Sequence, residues 1–477
     1  MKKFWKYLTL TILLLLGLCC VGILYLFFVP GSSLFGICYV SFNEKFSSED
    51  FNTKNIETIV LNSNKYDVTV ISTEDDDISL NIYNNSLGFV LTKNKTTSIS
   101  SQINNSTLSL VVTETTGFAI KNSSYIELLI PEDKTFNLKL INKKAETEIN
   151  GSDLNINNLT YQTNSGDCIV TNANITGKLN LNLNKSTFKV SSDVQTSAND
   201  VELNLTTGKF DASESTFNNI TIETNTRGIV DIKECANLTQ NITSAGGRIE
   251  AETVSMATIT SSSTNVYINT ISNGAKIILT GTGNVEIDSL TGDGSSILTD
   301  SGNINIKNAN SYTKLSSTDG DITISKAMDH IDVKTNYGTI NVKFNKDAVN
   351  KYLSATLEDG KLIASGLEKV NLMVEDNGRA ELEMSDVVGT SYVQGKTGSI
   401  FIKVNKLSKY KLSTASEGDV RVNLAQIPQY GGYTDKTLDE PIYVNCTASE
   451  HQANYNDNVL EVSTTTGILT ILDSNFA

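Results

Sequence analysis

His330 and His451 are the two histidines of a 477-residue chain, and a hydrolytic Ser-His-Asp arrangement needs one such ring held beside its nucleophile. Each lies in a polar stretch, "AMDHIDV" and "ASEHQAN", which reads as an exposed surface position and not as a general base. The motifs G-x-S-x-G, G-x-x-x-x-G-K-[ST] and H-E-x-x-H are absent. A polysaccharide-active β-helix enzyme would need clustered acids for calcium and a basic proton acceptor. The densest acid run, Asp75 to Asp77 in "TEDDDISL", reads as a solvated turn. "TGDGSS", Thr291 to Ser296, is rich in Gly and Asp but lacks the repeat of a calcium roll. Of six cysteines, Cys19 and Cys20 fall in an apolar N-terminal run and Cys38 lies just beyond it. Cys168, Cys235 and Cys446 are far apart, and the missing C-x-x-C spacing argues against zinc and thioredoxin-like chemistry. Each of these three reads as a small core residue. No catalytic, metal or cofactor-binding residue is assigned, no cofactor is expected, and the binding residues stay unknown. The expectation is a protein that is not an enzyme.

The net charge is −15, and since the first 30 residues hold three lysines and no acid, the remainder carries −18. That balance argues against nucleic acid as a partner. It would also repel anionic lipid or an anionic wall polymer unless divalent cations intervene. "MKKFWKY" is a short basic leader, and Leu8 to Val29 is 22 residues without a charge. About 20 apolar residues span a bilayer, more than a signal-peptide core of about 7 to 15 uses. Residues 8–29 are therefore read as an uncleaved transmembrane signal-anchor, with 1–7 as a cytoplasmic tail and the rest outside the cytoplasm. Gly31 and Ser33 form a small-x-small pair that leaves a cleavage site open.

Any chemistry must be positioned by the elements that fill the rest of the chain, and these repeat. "TDSGNINIKN" (299–308), "TDGDITISK" and "NYGTINVKF" each place apolar residues two and four positions after a glycine. Gly302 gives Ile304 and Ile306, Gly320 gives Ile322 and Ile324, and Gly338 gives Ile340 and Val342. Thirteen glycines from Gly166 to Gly467 head such phrases, most of them 18 to 22 residues apart. Degenerate copies headed by Ser186 and Thr264 fill two of the longer gaps. Alternation of this kind marks a strand with one buried face. Each phrase follows a second alternating run, such as "LNLTT", "ITIETN" or "IDVKTN". The unit is strand, Gly corner, strand and polar link. Gly suits the corner because it tolerates φ > 0 and has no side chain to strike the next layer. A constant period favours an elongated, all-β solenoid of stacked 18–22-residue coils over an antiparallel meander. Ile304, Ile322 and Ile340 are expected to stack inside. Polar exchanges at the outward Asn303, Asp321 and Thr339 are expected to change stability by less than about 0.5 kcal/mol.

Residues 30–54 read as a juxtamembrane linker and 55–475 as the solenoid ectodomain, less regular before about residue 160. "YIELLIPEDKTFNLKLIN" reads as two strands around Pro131. The stretch from about 427 to 457, with "IPQYGGYTDKTLDEP", breaks the period and reads as a loop. "NVLEVSTTTGILTIL" resumes the pattern and is expected to cover the last edge of the stack.

With its single N-terminal span, the early "YDVTVIS" strand, the "IELLIPEDKTFNLKLIN" step, the S/T-x-x-G-x-I-x-I phrase and the closing "VSTTTGILTI", the chain resembles the bacterial membrane-anchored "putative adhesin" family (head-GIN and related domains). The resemblance implies a β-solenoid ectodomain over about residues 55 to 475 and supplies no catalytic motif. The expected function is a non-enzymatic, membrane-tethered binding surface at the cell exterior, facing envelope or host glycans or surface proteins. The alternative is an envelope-stress sensor or regulator acting through other membrane proteins.

Overall fold

The computed structural model describes residues 2–28, 33–34, 37–41, 44–84, 86–90, 98–113, 117–122, 125–191, 200–241, 246–424, 441–446 and 457–474. The fold is a β-solenoid of about 13 turns with one N-terminal helix. It divides into two compact units, Met1–Glu202 with Thr207–Ser215, and Leu203–Thr206 with Thr216–Ala477.

Helix Lys2–Phe28 has no acid, and its stretch Lys3–Tyr25 is long and apolar enough to cross a membrane. Its hydrophobic side chains are exposed, as for a helix that packs against lipid. Two hydroxyls inside it are satisfied by the helix itself, with Thr9 Oγ1 donating to the Trp5 carbonyl at 2.7 Å and Thr11 Oγ1 to Tyr7 at 2.8 Å. The segment read as a linker also pairs. Strands Ser33–Leu34 and Ile37–Ser41 join an antiparallel sheet, and Glu44–Asn52 runs antiparallel to Asp77–Asn84.

In the second unit the coils stack in parallel register. Ile304 pairs with Ile322 and Ile322 with Ile340, and the row continues through Leu362, Ala380 and Ile400. The companion row runs through Leu315, Val333, Ala355 and Leu372. These rows face each other across a core column, and Ile304, Ile322 and Ile340 are at most 1% exposed. Every residue two or four places after a repeat glycine is buried, including those of the copies headed by Ser186 and Thr264. The core of the first unit holds an aromatic row, with Tyr161, Phe188 and Phe210 ring to ring at 5.6 and 6.3 Å. Stacking equals on equals repeats one favourable contact set at each layer, each buried Ile contributing about 1.5–3 kcal/mol of transfer free energy.

The glycine corner works differently from the sequence expectation in one respect. Among the thirteen repeat glycines only Gly247, at φ +91°, has a positive φ. What excludes a side chain is the layer below. A Cβ on Gly302, Gly320 or Gly338 would lie 1.7, 2.0 or 2.1 Å from the carbonyl oxygen of the glycine one coil earlier. The Ser or Thr three places before the glycine is also explained. Ser317 Oγ accepts from Gly320 N at 2.8 Å, Thr335 Oγ1 from Gly338 N at 3.1 Å, and Thr163 Oγ1 from Gly166 N at 2.9 Å. All three hydroxyls are buried, so each satisfies an amide that water cannot reach.

Coil order departs from chain order at both ends. Strand Val459–Thr464 lies between Thr390–Gly395 and Tyr410–Ser416, and Ile468–Ser474 lies between Ser399–Asn405 and Asp419–Asn423. The final strand pair therefore does not cover the edge, as its position in the sequence suggested. It is an inner layer, and among the described residues the outermost coil is 410–423, flanked by antiparallel Ile442–Val444. The expected loop at 427–457 lies largely outside the described residues. In the first unit, Thr58–Ser63 lies between Thr107–Thr113 and Thr135–Asn142. Asp67–Thr73 lies between Tyr125–Pro131 and Thr147–Ile149.

Candidate binding surface

With the inward positions spent on the core, the side chains open to a ligand are those that the pleat turns outward. Directly after the residues that head the repeat phrases, Thr264, Gly283, Gly302 and Gly320, stands an Asx ladder. Asn265 Oδ1 accepts from Asn284 N at 3.0 Å, Asn284 Oδ1 from Asn303 N at 2.8 Å, Asn303 Oδ1 from Asp321 N at 2.9 Å, and Asp321 Oδ1 from Thr339 N at 2.7 Å. These side chains point to solvent as expected, but they are not idle. Each caps the backbone of the next coil, so the expectation of near-silent exchange at Asn303 and Asp321 is revised. The signal was legible in part: Asn and Asp recur at this one position because a short side-chain oxygen reaches a backbone amide one layer on.

Charged side chains also pair from coil to coil. Lys307 pairs with Asp288 at 2.6 Å, Lys361 with Glu381 at 3.4 Å, Lys403 with Glu383 at 3.3 Å and Lys351 with Glu368 at 2.7 Å. These pairs join successive coils and are mostly solvent-facing, where each is worth about 0–1 kcal/mol.

His330 corrects the sequence reading. It is half-buried, sandwiched between Tyr312, with ring centroids 4.8 Å apart, and Tyr352, at 4.2 Å. The Lys369 ammonium lies 5.1 Å from the Tyr352 ring centroid. Burial pulls the imidazole below its ordinary value, opposed by Asp332 and Asp329 and reinforced by Lys369. The backbone amide of His330 donates to Asp329 Oδ1 at 2.6 Å. Tyr312, His330 and Tyr352 each stand one residue before a buried residue of one register row, Thr313, Ile331 and Leu353. That common offset was visible in the sequence as spacings of 18 and 22, and it marks an aromatic row on successive coils. His451 lies outside the described residues.

The remaining candidates stay dispersed. Of the run Asp75 to Asp77, Asp75 and Asp76 lie in an exposed bend, where Asp76 offers its backbone oxygen to Thr53 Oγ1 at 2.9 Å, while Asp77 opens strand Asp77–Asn84 and accepts from Asn52 Nδ2 at 3.3 Å. Gly292 and Gly294 in "TGDGSS" take φ of +109° and +79°, which makes that segment a tight corner. Among the described residues no three His, Cys, Asp or Glu converge as a metal site. Cys168 and Cys235 are buried core residues, as read from the sequence, and burial pushes the Cys235 thiol up to about 12. Cys446 is only half-buried and donates to the Val444 carbonyl at 3.3 Å. The arrangement can bond and stack against a ligand along repeated polar rows.

No curated protein matches the chain. Two solved structures similar to it are a "putative cell adhesion protein" from Clostridium sporogenes ATCC 15579 and a "putative adhesin" from Bacteroides fragilis NCTC 9343. The first is 9% identical with a TM-score of 0.15, covering 90% of this chain and 99% of its own. The second is 13% identical with a TM-score of 0.19, covering 91% of this chain and 100% of its own. The Toastrack DUF4097 family matches residues 56–254 and 239–361, two overlapping stretches that take in most of the stacked coils. More than half of the chain is thereby accounted for, and it belongs to the Toastrack DUF4097 family.

Proposed function

We propose that the protein is a non-enzymatic cell-surface scaffold, held in the membrane by helix Lys2–Phe28, with the solenoid outside the cytoplasm presenting its outward rows to glycans or proteins of the envelope or of a host. The observation that carries this reading is the division of labour within each coil. The inward positions are spent on an apolar column, and the outward position after the corner repeats Asn, Asp and Thr at one spacing. A surface of many equivalent polar groups suits multivalent hydrogen bonding, in which weak contacts add through effective concentration. The exposed apolar helix supports the tether, and the family supports the solenoid.

The test is made on cells producing the full chain. Protease added to intact cells is expected to degrade the solenoid while the protein fractionates with membranes. Purified in neutral detergent, the same chain is expected to bind envelope or host glycans or surface proteins in an array. Digestion only after permeabilisation would overturn the outward placement. Capture confined to integral membrane proteins of the same cell would overturn the presenting role in favour of an envelope sensor.

A further inference from the structure

One groove in the second unit departs from the polar uniformity of the coils. It has a volume of about 740 Å³ and lies where the period lengthens: Gly302, Gly320 and Gly338 are 18 residues apart, but Gly338 and Gly360 are 22 apart. The longer coil carries the turn that follows Phe344, and Asn345 and Lys346 of that turn line the groove. The turn is held in place, with Asn345 N donating to the Ala327 carbonyl at 2.9 Å and Val349 N to Met328 at 3.0 Å.

Two bulges shape the floor. Between Ile324 and Ala327 the register slips, so Ser325 and Lys326 together oppose Lys343. A second slip lies between Ser365 and Leu367, where Gly366 takes φ +77° and opposes no residue of the next coil. A bulge re-aims side chains that a regular ladder would hold in file, and bulges concentrate beside binding sites.

The charge of the groove runs against that of the chain. Lys326, Lys343, Lys346 and Lys351 line it, with Glu383 as its acid. Lys351 is already neutralised by Glu368 at 2.7 Å, and Glu383 by Lys403 at 3.3 Å. Lys326, Lys343 and Lys346 are exposed and have no ion pair among the described residues. Three uncompensated ammonium groups thus face one open groove on a protein of net charge −15. Like charges held close without counter-charge cost free energy that an anionic ligand would recover.

We propose that this groove binds the anionic groups, phosphate or carboxylate, of a polyhydroxylated ligand such as an acidic glycan or a phosphate-linked polyol. The volume is in the range of ligand clefts and larger than a single inorganic anion, which leaves room for a longer body that carries the charges. Ser325 and Ser365 add hydroxyls to the wall for the ligand's own hydroxyls and anionic oxygens. Lysine, as a point charge with three donors, suits oxyanions of either geometry. The general repulsion of polyanions by the acidic chain makes the groove a local entry point and favours it over the other faces.

This rests on the reading of the solenoid as a presenting scaffold. The protease-accessibility test does not involve the groove lysines, so failure here leaves that placement standing. The experiment uses the full chain in neutral detergent and isothermal titration with three probes: an oligogalacturonate, pyrophosphate and neutral dextran. The variant K326Q/K343Q/K346Q is compared with K189Q/K276Q/K334Q, which removes the same charge at exposed positions elsewhere. The groove variant is expected to weaken binding of a charged probe by about tenfold or more, and the control by less than about twofold. Added salt should weaken wild-type binding. Tighter binding of pyrophosphate assigns phosphate as the group, and tighter binding of oligogalacturonate assigns carboxylate. Equal loss in both variants, dextran binding as tight as the charged probes, or no binding of either charged probe would overturn the proposal. Should the triple variant unfold, Lys343→Gln alone is expected to give a loss of about threefold or more. An unchanged affinity in that single variant would be equally decisive against the groove.

Discussion

Gly320→Ala isolates the force that shapes the coil. The added methyl carbon would stand 2.0 Å from the Gly302 carbonyl oxygen and 2.6 Å from its carbon. A carbon and a carbonyl oxygen approach to about 3.3 Å at closest, so the coil must retreat by more than about 1 Å at this corner. Such a shift breaks the bonds that tie the corner to its neighbours. These are Asp319 N to Asp300 O at 2.9 Å, Ile304 N to Asp321 O at 2.8 Å and Ser317 Oγ to Gly302 O at 3.3 Å. At about 1 kcal/mol for each bond, with overpacking of similar size added, the loss comes to about 4 kcal/mol. Gly294→Ala is the matched control, because its Cβ would meet nothing within 4 Å while its φ of +79° is strained for alanine. Its cost should be about 1 kcal/mol. Urea unfolding of the full chain in neutral detergent, followed by far-ultraviolet circular dichroism, measures both. Hydrogen exchange over residues 295–345 localises the effect. Equal costs, or a Gly320→Ala cost below about 1 kcal/mol, would refute stacking as the reason for glycine and return the explanation to φ.

Three further outcomes follow from the same geometry. Ile322→Asp buries an unpaired carboxylate in the core column and should cost about 5 kcal/mol, while Asp321→Ala forfeits the cap on Thr339 N and should cost about 1 kcal/mol; circular-dichroism melts that rank the two alike would place the register one residue off. Burial holds the His330 pKa below its ordinary 6.5, so the unfolded chain takes up the proton first as pH falls. The contribution of the neutral ring is complete above about pH 6.5 and is lost as pH drops through the folded value. His330→Phe should flatten this dependence in hydrogen exchange of residues 312–352, and an unchanged pH profile would exclude the stack as its source. Ending the chain after Cys446 removes an inner layer, so limited proteolysis should cut within about residues 390–424; protection equal to the full chain there would contradict the strand order.

Strands, their inward faces and the layer-by-layer core were legible because a period of two within each strand and a period of 18 to 22 between coils leave few other ways to bury Ile304, Ile322 and Ile340. The Ser or Thr three places before glycines such as Gly166, Gly320 and Gly338 was visible as part of the phrase, but its role was not, since nothing in a sequence says that the glycine amide is buried. The aromatic row at Tyr312, His330 and Tyr352 was hidden differently. Its neighbours are Asp329 and Asp332, which make the local stretch look solvated, and only alignment of three coils reveals that one ring covers the next. The groove needed still more, because its lysines come from separate coils and it depends on two bulges that composition does not announce.

Coil order is where the repeat itself erased the information. The phrase after Gly467 is interchangeable with those after Gly398 and Gly418, so any of them fits beside any other. The assumption that chain neighbours are stack neighbours then has nothing to correct it. The corner glycines record the real order. A Cβ on Gly467 would meet Gly398 O at 2.1 Å, and one on Gly418 would meet Gly467 O at 2.2 Å. The outer coil, 410–423, thus rests on residues made about 50 positions later. A stack built this way cannot be completed from one end as the chain emerges, because the penultimate layer waits for the last strands and pays the closure entropy of the intervening segment. Val459–Thr464 and Ile468–Ser474 are paired on both sides, and among the described residues the edge is given to a coil whose two ends are continuous with the chain.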